Sequence, residues 1–261
     1  MKNIAIILAG GIGARVGGAL PKQLLPLADG RTILEHAIDA FHQSEYIDEI
    51  CLVMHPNYID YAQQMCDNND WDKLKHIVPG GNERWESSVN AIRVYTQAYS
   101  KSLSEWEDFN SVEIHPSLQG GDGGRLDDTS VNLLLHDAAR PFVSQEIISN
   151  VCQALQTHEA VVVAVPSTDT VYEMKEGVVA RIPNRATIMR AQTPQAFHLP
   201  LIAKAYAKAL GVNDLNEVAS MQAHLPATDD CGVVFNYMPQ VPIHIIPGEE
   251  KNKKITYKED L

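Results

Sequence analysis

Leu8-Ala9-Gly10-Gly11-Ile12-Gly13-Ala14-Arg15-Val16-Gly17, followed by Pro21-Lys22-Gln23, is the stretch on which the fold turns. It comes directly after a continuous apolar run, residues 3–9, of strand length. A run without polar alternation is buried on both faces, as the first central strand of a parallel sheet is. Glycines at the end of such a strand let backbone N–H groups close on phosphate oxygens, and Arg15 and Lys22 add the charge that backbone dipoles supply only in part. Two common phosphate loops do not fit. A dinucleotide fingerprint begun at Gly11 requires glycine where Val16 stands, and a P-loop requires Gly-Lys-Ser/Thr, whereas Lys22 lies between Pro21 and Gln23.

Outward from this loop the chain alternates strand and helix. Thr32 reads as the N-cap of a helix through Phe41, with Glu35 three residues on completing a capping box. Residues 49–54 read as a buried strand, 57–66 as a helix, 77–79 as a short strand and 87–99 as a helix. Residues 131–135 form a strand that delivers His136-Asp137-Ala138-Ala139-Arg140-Pro141 at its carboxyl end. A helix over 145–157, a strand over 160–165, a small hairpin over 169–182, a helix over 199–210 and a strand over 242–246 complete the series. The alternation predicts an α/β fold with a mostly parallel, Rossmann-like sheet flanked by helices, its ligand outside the carboxyl ends of the strands. Residues 97–130 break the rhythm. They hold seven acids, two bases and Gly-Gly-Asp-Gly-Gly without a sustained period, and read as a mobile acidic surface insertion.

The chain has 261 residues, 45% of them hydrophobic, enough to bury a sizeable core. With 33 Asp+Glu against 21 Lys+Arg, the net charge of −12 argues against a general binder of nucleic acid or anionic membrane, because no basic excess replaces condensed counterions. An anionic ligand must then be held by a few locally placed cations. The four cysteines form no CxxC pair, so neither a zinc site nor a disulfide framework is written here. The first apolar run is too short for a signal sequence and no later run approaches membrane-spanning length, which predicts a soluble, cytoplasmic chain.

The glycine loop resembles the LxxGxGxRxxxxxPK element of nucleotidyltransferases with a glycosyltransferase-A-like fold. Further elements follow in order: Gly80-Gly81-Asn82-Glu83-Arg84-Trp85-Glu86-Ser87, the His136 to Pro141 segment, Asp169-Thr170, Arg185 to Phe197 with its Gln192-Thr193-Pro194-Gln195, and Lys253-Lys254-Ile255-Thr256 with Glu259-Asp260-Leu261. Together they resemble the 2-C-methyl-D-erythritol 4-phosphate cytidylyltransferase (IspD-like) family, which includes ribitol-5-phosphate cytidylyltransferases. The resemblance covers the chain except the insertion and implies one nucleotidyltransferase domain over residues 1–261. Met189 in place of a usual tryptophan, Gly10-Gly11 in place of Ala-Gly, and Thr256-Tyr257-Lys258 in place of Thr-x-Pro are closer to the ribitol-phosphate branch. Relatives continue into a closing helix beyond the position of Leu261.

The resemblance implies transfer of CMP from CTP to a polyol phosphate, 2-C-methyl-D-erythritol 4-phosphate first and D-ribitol 5-phosphate as the alternative, with release of pyrophosphate and use of Mg²⁺ or another divalent cation. Arg15, Lys22, Arg185 and Lys254 would be catalytic. Ala9, Gly10, Gly11, Gly13, Gly81, Asn82 and Ser87 would hold the nucleotide, and Arg140, Thr170 and Thr193 the acceptor. Asp137 would take the metal, as suits a hard carboxylate at a strand end. An arm at about residues 168–192 would embrace a second subunit, so that Arg185 works in the partner's site of a homodimer. On the residues alone, Arg84 also fits a solvated cation at a helix start and Asp137 a turn cap. His136 reads as a hydrogen-bonded neighbour, because an already ionised phosphate requires no base. Trp85 and Met189 read as packing. Competing readings are a uridylyl- or thymidylyltransferase for a sugar phosphate and a non-catalytic nucleotide-binding protein.

Overall fold

The computed structural model describes residues 1–11, 20–99, 131–218 and 225–260, and the statements below concern these. Gly13 and Arg15 of the glycine loop and residues 100–130 of the acidic stretch lie outside the described residues. Nine strands are described, seven of them in one sheet: β1 (Lys2–Ala9), β2 (Glu49–Met54), β3 (Leu74–Pro79), β4 (Val131–Asp137), β5 (Ala160–Pro166), β8 (Met189–His198) and β9 (His244–Pro247). A separate two-stranded hairpin pairs β6 (Glu173–Lys175) with β7 (Val178–Arg181). The helices are α1 (Ile33–His42), α2 (Ile59–Asp67), α3 (Arg84–Ala98), α4 (Gln145–Ala154), α5 (Leu199–Leu210) and α6 (Asp230–Tyr237).

The large sheet runs β3-β2-β1-β4-β8-β5-β9, with every neighbouring pair parallel except the two made by β8. The apolar run of β1 is buried on both faces, as its lack of alternation requires. Ile4 and Ile6 join one cluster with Val89 and Ile92 of α3 and Ile202 and Tyr206 of α5. Ala5 and Ile7 join the other, with Leu34, Ile38 and Phe41 of α1 and Ile148 and Val151 of α4. Full burial of one such isoleucine contributes about 1.5–3 kcal/mol, so the central strand anchors both layers.

The first helix begins as read: the Thr32 hydroxyl accepts from Glu35 N, and Glu35 returns the bond to Thr32 N. The reading at 57–66 resolves into a short 3-10 turn, Pro56–Tyr58, followed by α2. Helix α3 starts three residues before the expected Ser87, because Glu83 and Glu86 form a capping box upstream of it. Two elements were not foreseen. Strand β8 carries the Gln192 to Phe197 motif and enters antiparallel between β4 and β5, with a register shift near Val163 and a cis Thr193–Pro194 bond. Its polar side chains and proline hide it from an apolar-run criterion. Helix α6 is short and follows a Thr-Asp-Asp sequence, with Asp229 capping Gly232 N.

Register brings the site together. Ala9 lies opposite Met54, Leu8 opposite Asp137, and Met54 opposite Pro79, so β1, β4, β2 and β3 end level. The glycine loop, Asp137 and the Gly80-Gly81 turn therefore leave the same edge of the sheet. No helix among the described residues is long and apolar enough to cross a membrane.

Candidate active site

At the glycine-loop side, three backbone segments approach so closely that side chains are excluded. A Cβ on Gly10 would stand 2.8 Å from Ser87 Oγ and 3.3 Å from Gly80 Cα. One on Gly81 would stand 2.1 Å from Glu86 Cβ. Ser87 Oγ accepts from Gly81 N at 3.1 Å, while the Glu86 carboxylate accepts from the N–H groups of Asn82 and Glu83. The turn carrying Gly81 and Asn82 is thereby fixed against the start of α3. Gln23, 3% exposed, donates through Nε2 to Ala9 O at 2.7 Å and Gly11 O at 2.8 Å, binding the Pro-Lys-Gln segment to both sides of Gly10. Sequence reasoning used Gln23 only as spacing.

The charged side centres on Asp137. Its Oδ2 accepts from Lys254 Nζ at 2.6 Å, and its Oδ1 lies 3.3 Å from Arg84 Nε. Burial pushes the Asp137 carboxyl up, but Arg84, Lys254 and Arg140 outweigh it and hold the group well below the usual carboxylate range. Lys22 Nζ donates to Ile255 O at 2.7 Å, so both lysines of the prediction meet on the segment around Ile255. Arg140 clamps that segment as well, donating to Asn252 O at 2.7 Å and to Ala191 O at 3.3 Å. Asn252, fully buried, donates to Thr193 O at 2.9 Å.

Thr193 links the strand ends. Its hydroxyl accepts from Asp137 N at 3.1 Å and sits 3.0 Å from His136 Nδ1, and His136 Nε2 lies 2.9 Å from Arg140 O. This network assigns the neutral Nε2–H tautomer: the threonine donates to Nδ1, and Nε2–H donates to the carbonyl. Burial lowers the His136 pKa to about 4, consistent with a structural imidazole rather than a base.

Arg84 departs from the solvated-cation alternative: it is a partly buried guanidinium between two carboxylates, 2.6 Å from Asp230 Oδ2 as well as 3.3 Å from Asp137. Met189, expected to pack, is 36% exposed at the outer end of β8, whereas Trp85 is buried as expected. Thr170 and Arg185 stand on the exposed arm, outside the Asp137 cluster, and Arg185 Nη1 donates to Thr168 O at 3.1 Å. The arm itself exposes Tyr172, Met174, Val178, Val179 and Ile182.

Divalent metal was tested against these groups. Among the described residues no three His, Cys, Asp or Glu side chains gather as a ligand set. Asp137 offers hard oxygens at the strand end, which fits a cation such as Mg²⁺ that takes one or two carboxylates and completes its shell with substrate phosphate and water.

The family model described as 2-C-methyl-D-erythritol 4-phosphate cytidylyltransferase matches residues 3–103 and 125–261, interrupted within the acidic stretch. A 2-C-methyl-D-erythritol 4-phosphate cytidylyltransferase of Thermobifida fusca is 39% identical over 98% of this chain and 89% of its own length. A bifunctional ribulose 5-phosphate reductase/CDP-ribitol pyrophosphorylase of Haemophilus influenzae is 32% identical over the whole chain, which spans 47% of that longer protein. Among solved structures, a 4-diphosphocytidyl-2C-methyl-D-erythritol synthase from Anaerococcus prevotii superposes with a TM-score of 0.73 at 26% identity, over 99% of this chain and 92% of that one.

Proposed function

The chain belongs to the 2-C-methyl-D-erythritol 4-phosphate cytidylyltransferase family, and from that premise we propose that it transfers CMP from CTP to 2-C-methyl-D-erythritol 4-phosphate, releasing pyrophosphate, as a step in the supply of isoprenoid precursors. The observation that supports the reading is the level ending of β1, β3 and β4, from whose carboxyl ends Gly10, the Gly80-Gly81 turn and Asp137, paired with Lys254, all leave one edge of the sheet.

In the reaction an acceptor phosphate oxygen forms a bond to the α-phosphorus as the bond from that phosphorus to the β-bridging oxygen breaks. Negative charge gathers on the α-phosphate and the leaving pyrophosphate, so fixed cations lower the barrier without a covalent enzyme intermediate. Backbone N–H groups near Gly10 and Gly11, with Arg15 and Gly13 of the same loop, would receive the triphosphate. Lys22 and Lys254 would neutralise charge that grows in the transition state. Gly81, Asn82 and Ser87 would read cytosine, and the turn that Glu86 and Ser87 fix leaves no room for a bulkier side chain at Gly81. Asp137 would hold the divalent cation, which when bound screens the triphosphate charge.

Arg140 and Thr193 belong to the acceptor side, held rigid by their contacts to Asn252, Ala191 and His136. Thr170 and Arg185 complete it from the arm. The apolar exposure of that arm supports a homodimer in which Arg185 serves the partner's site. Four free thiols and a nucleotide substrate support a cytoplasmic setting.

The Haemophilus relative favours a second acceptor, D-ribitol 5-phosphate. Pyrophosphate release with CTP, Mg²⁺ and each polyol phosphate separates the two, and UTP in the same assay checks the base. Release with methylerythritol phosphate and CTP is expected. Release with neither acceptor sinks the assignment, and a preference for UTP transfers it to a sugar-phosphate uridylyltransferase.

A further inference from the structure

Arg84 opens α3, where a positive charge opposes the helix dipole. Its guanidinium nevertheless stays there, between the carboxylates of Asp137 on β4 and Asp230 at the first turn of α6. Asp230 is fully buried, and its Oδ1 accepts from the hydroxyl of Tyr206, itself fully buried on α5, at 2.6 Å. The result is one line of alternating polar contacts: Tyr206 to Asp230, Asp230 to Arg84, Arg84 to Asp137, Asp137 to Lys254. It begins in the core between α5 and α6 and ends at the candidate site. The site's own chemistry does not use its first three members.

Stability alone does not call for this arrangement. A buried ion pair replaced as a whole by uncharged groups of similar volume is often neutral or stabilising, whereas removal of one partner is costly. Arg84 Nη2 is also buried with no hydrogen-bond partner among the described residues, so the guanidinium is not placed for its own satisfaction. What the contact does accomplish is geometric. Arg84 takes Oδ1 of Asp137 while Lys254 takes Oδ2, and the other end of the guanidinium is paired with Asp230, itself bonded to Tyr206.

We propose that Arg84, fixed by the Asp230–Tyr206 pair, is a positioning residue that sets the orientation of the Asp137 carboxylate toward Lys254 during cytidylyl transfer. The inference rests on the function proposed above and adds a part to it. Burial pushes the Arg84 pKa down, but Asp230 and Asp137 outweigh it, and the group stays charged throughout.

Four variants test this: Arg84→Met, the double variant Arg84→Met/Asp230→Asn, Tyr206→Phe, and Tyr206→Phe in the Arg84→Met background. Arg84→Met strands the buried Asp230 charge and is expected to lower both Tm and kcat. The double variant removes that stranded charge, and is expected to regain Tm while kcat stays at least about 10-fold below the parent, with KM for CTP within about 2-fold. Tyr206→Phe, which deletes one hydroxyl, is expected to lower kcat about 3-fold or more in the parent and not at all in the Arg84→Met background, since coupled residues are not additive. Recovery of kcat together with Tm in the double variant overturns the proposal, because it assigns Arg84 a purely structural role. Parental kcat in Tyr206→Phe overturns it also. The parent's pyrophosphate release with CTP reads the proposed function, and the variant-to-parent ratio reads this inference, so the two fail separately.

Discussion

Gln23→Met tests whether the glycine loop is held by a side-chain clamp rather than by its own backbone. Methionine fills the same volume but removes two donated hydrogen bonds, to Ala9 O at 2.7 Å and Gly11 O at 2.8 Å. The two carbonyls lose unequally. Ala9 is 3% exposed, so its carbonyl loses a partner that water does not replace, at a cost of about 1–3 kcal/mol. Gly11 is exposed and exchanges its bond for water, which forfeits about 0.5–1.5 kcal/mol. The expected total is about 1.5–4.5 kcal/mol, a large share of the 5–15 kcal/mol or so by which native proteins are stable. Urea unfolding followed by tryptophan fluorescence measures it, since Trp71 and Trp85 are both buried. Because both released carbonyls flank Gly10, KM for CTP should rise while KM for the acceptor holds. A stability within about 0.5 kcal/mol of the parent, the usual range for an inconsequential surface change, would refute the clamp, as would an unaltered KM for CTP.

Gly81→Ala places a Cβ 2.1 Å from Glu86 Cβ, an atom the helix backbone fixes, so the turn itself must move off the start of α3 and break the capping bonds; a loss of more than about 1 kcal/mol and a raised KM for CTP are expected from thermal melts and initial rates. Lys254→Met frees Asp137 Oδ2 of its ammonium, and Mn²⁺ titrated by electron paramagnetic resonance without nucleotide should bind more tightly than to the parent. Equal binding would separate Asp137 from the metal. Arg185→Ala mixed with Lys22→Ala should regain part of the activity neither has alone if the arm serves the partner's site, and no regain argues for action within one chain. Between pH 7 and pH 4.5 the folded state should lose stability through His136: its folded pKa, about 4, lies below the unfolded 6.5, so the unfolded chain takes up the proton first as pH falls. The loss attributable to it is about 2.5 kcal/mol at pH 4.5, read as the difference in urea stability between the parent and His136→Gln.

The parts of the fold that were legible in the sequence are those where burial and periodicity coincide. Asn3 to Ala9 and Val131 to Leu135 are apolar without alternation because both faces of each strand meet helices, and the Thr32/Glu35 box marks a helix start by its own hydrogen bonds. Strand β8 was not legible for the opposite reason. Gln192, Thr193 and Gln195 are buried polar residues whose hydrogen bonds go to Asn252, Glu249, His136, Asp229 and Cys231, partners distant in sequence. A strand that spends its interior positions on such bonds loses the apolar signature of a strand. Arg84 stays undecided from sequence for a similar reason: nothing local distinguishes an arginine that ends in water from one that ends on Asp230, because that partner is supplied by a helix far along the chain. Motif order points to these residues where physical patterning does not.

The charge of the whole chain and the charge of the site have opposite signs, and position reconciles them. The acidic stretch over 97–130 has a local charge of −5, leaving −7 for the rest of a chain whose total is −12. Around Asp137 and Asp230, however, Arg84, Lys254 and Arg140 outnumber the two carboxylates, and their field is what keeps the buried Asp137 ionised. The same excess of cations that lowers the Asp137 pKa is available to a triphosphate, because screening is weakest where water is excluded. Asp137 in turn spaces cations that would otherwise repel one another: Arg84 and Lys254 take different oxygens of one carboxylate. A net acidic chain can thus still gather a few cations at one edge of its sheet, where they would receive an anion. Loss of Asp137 should therefore disturb the lysine and both arginines together, whatever it does to the metal.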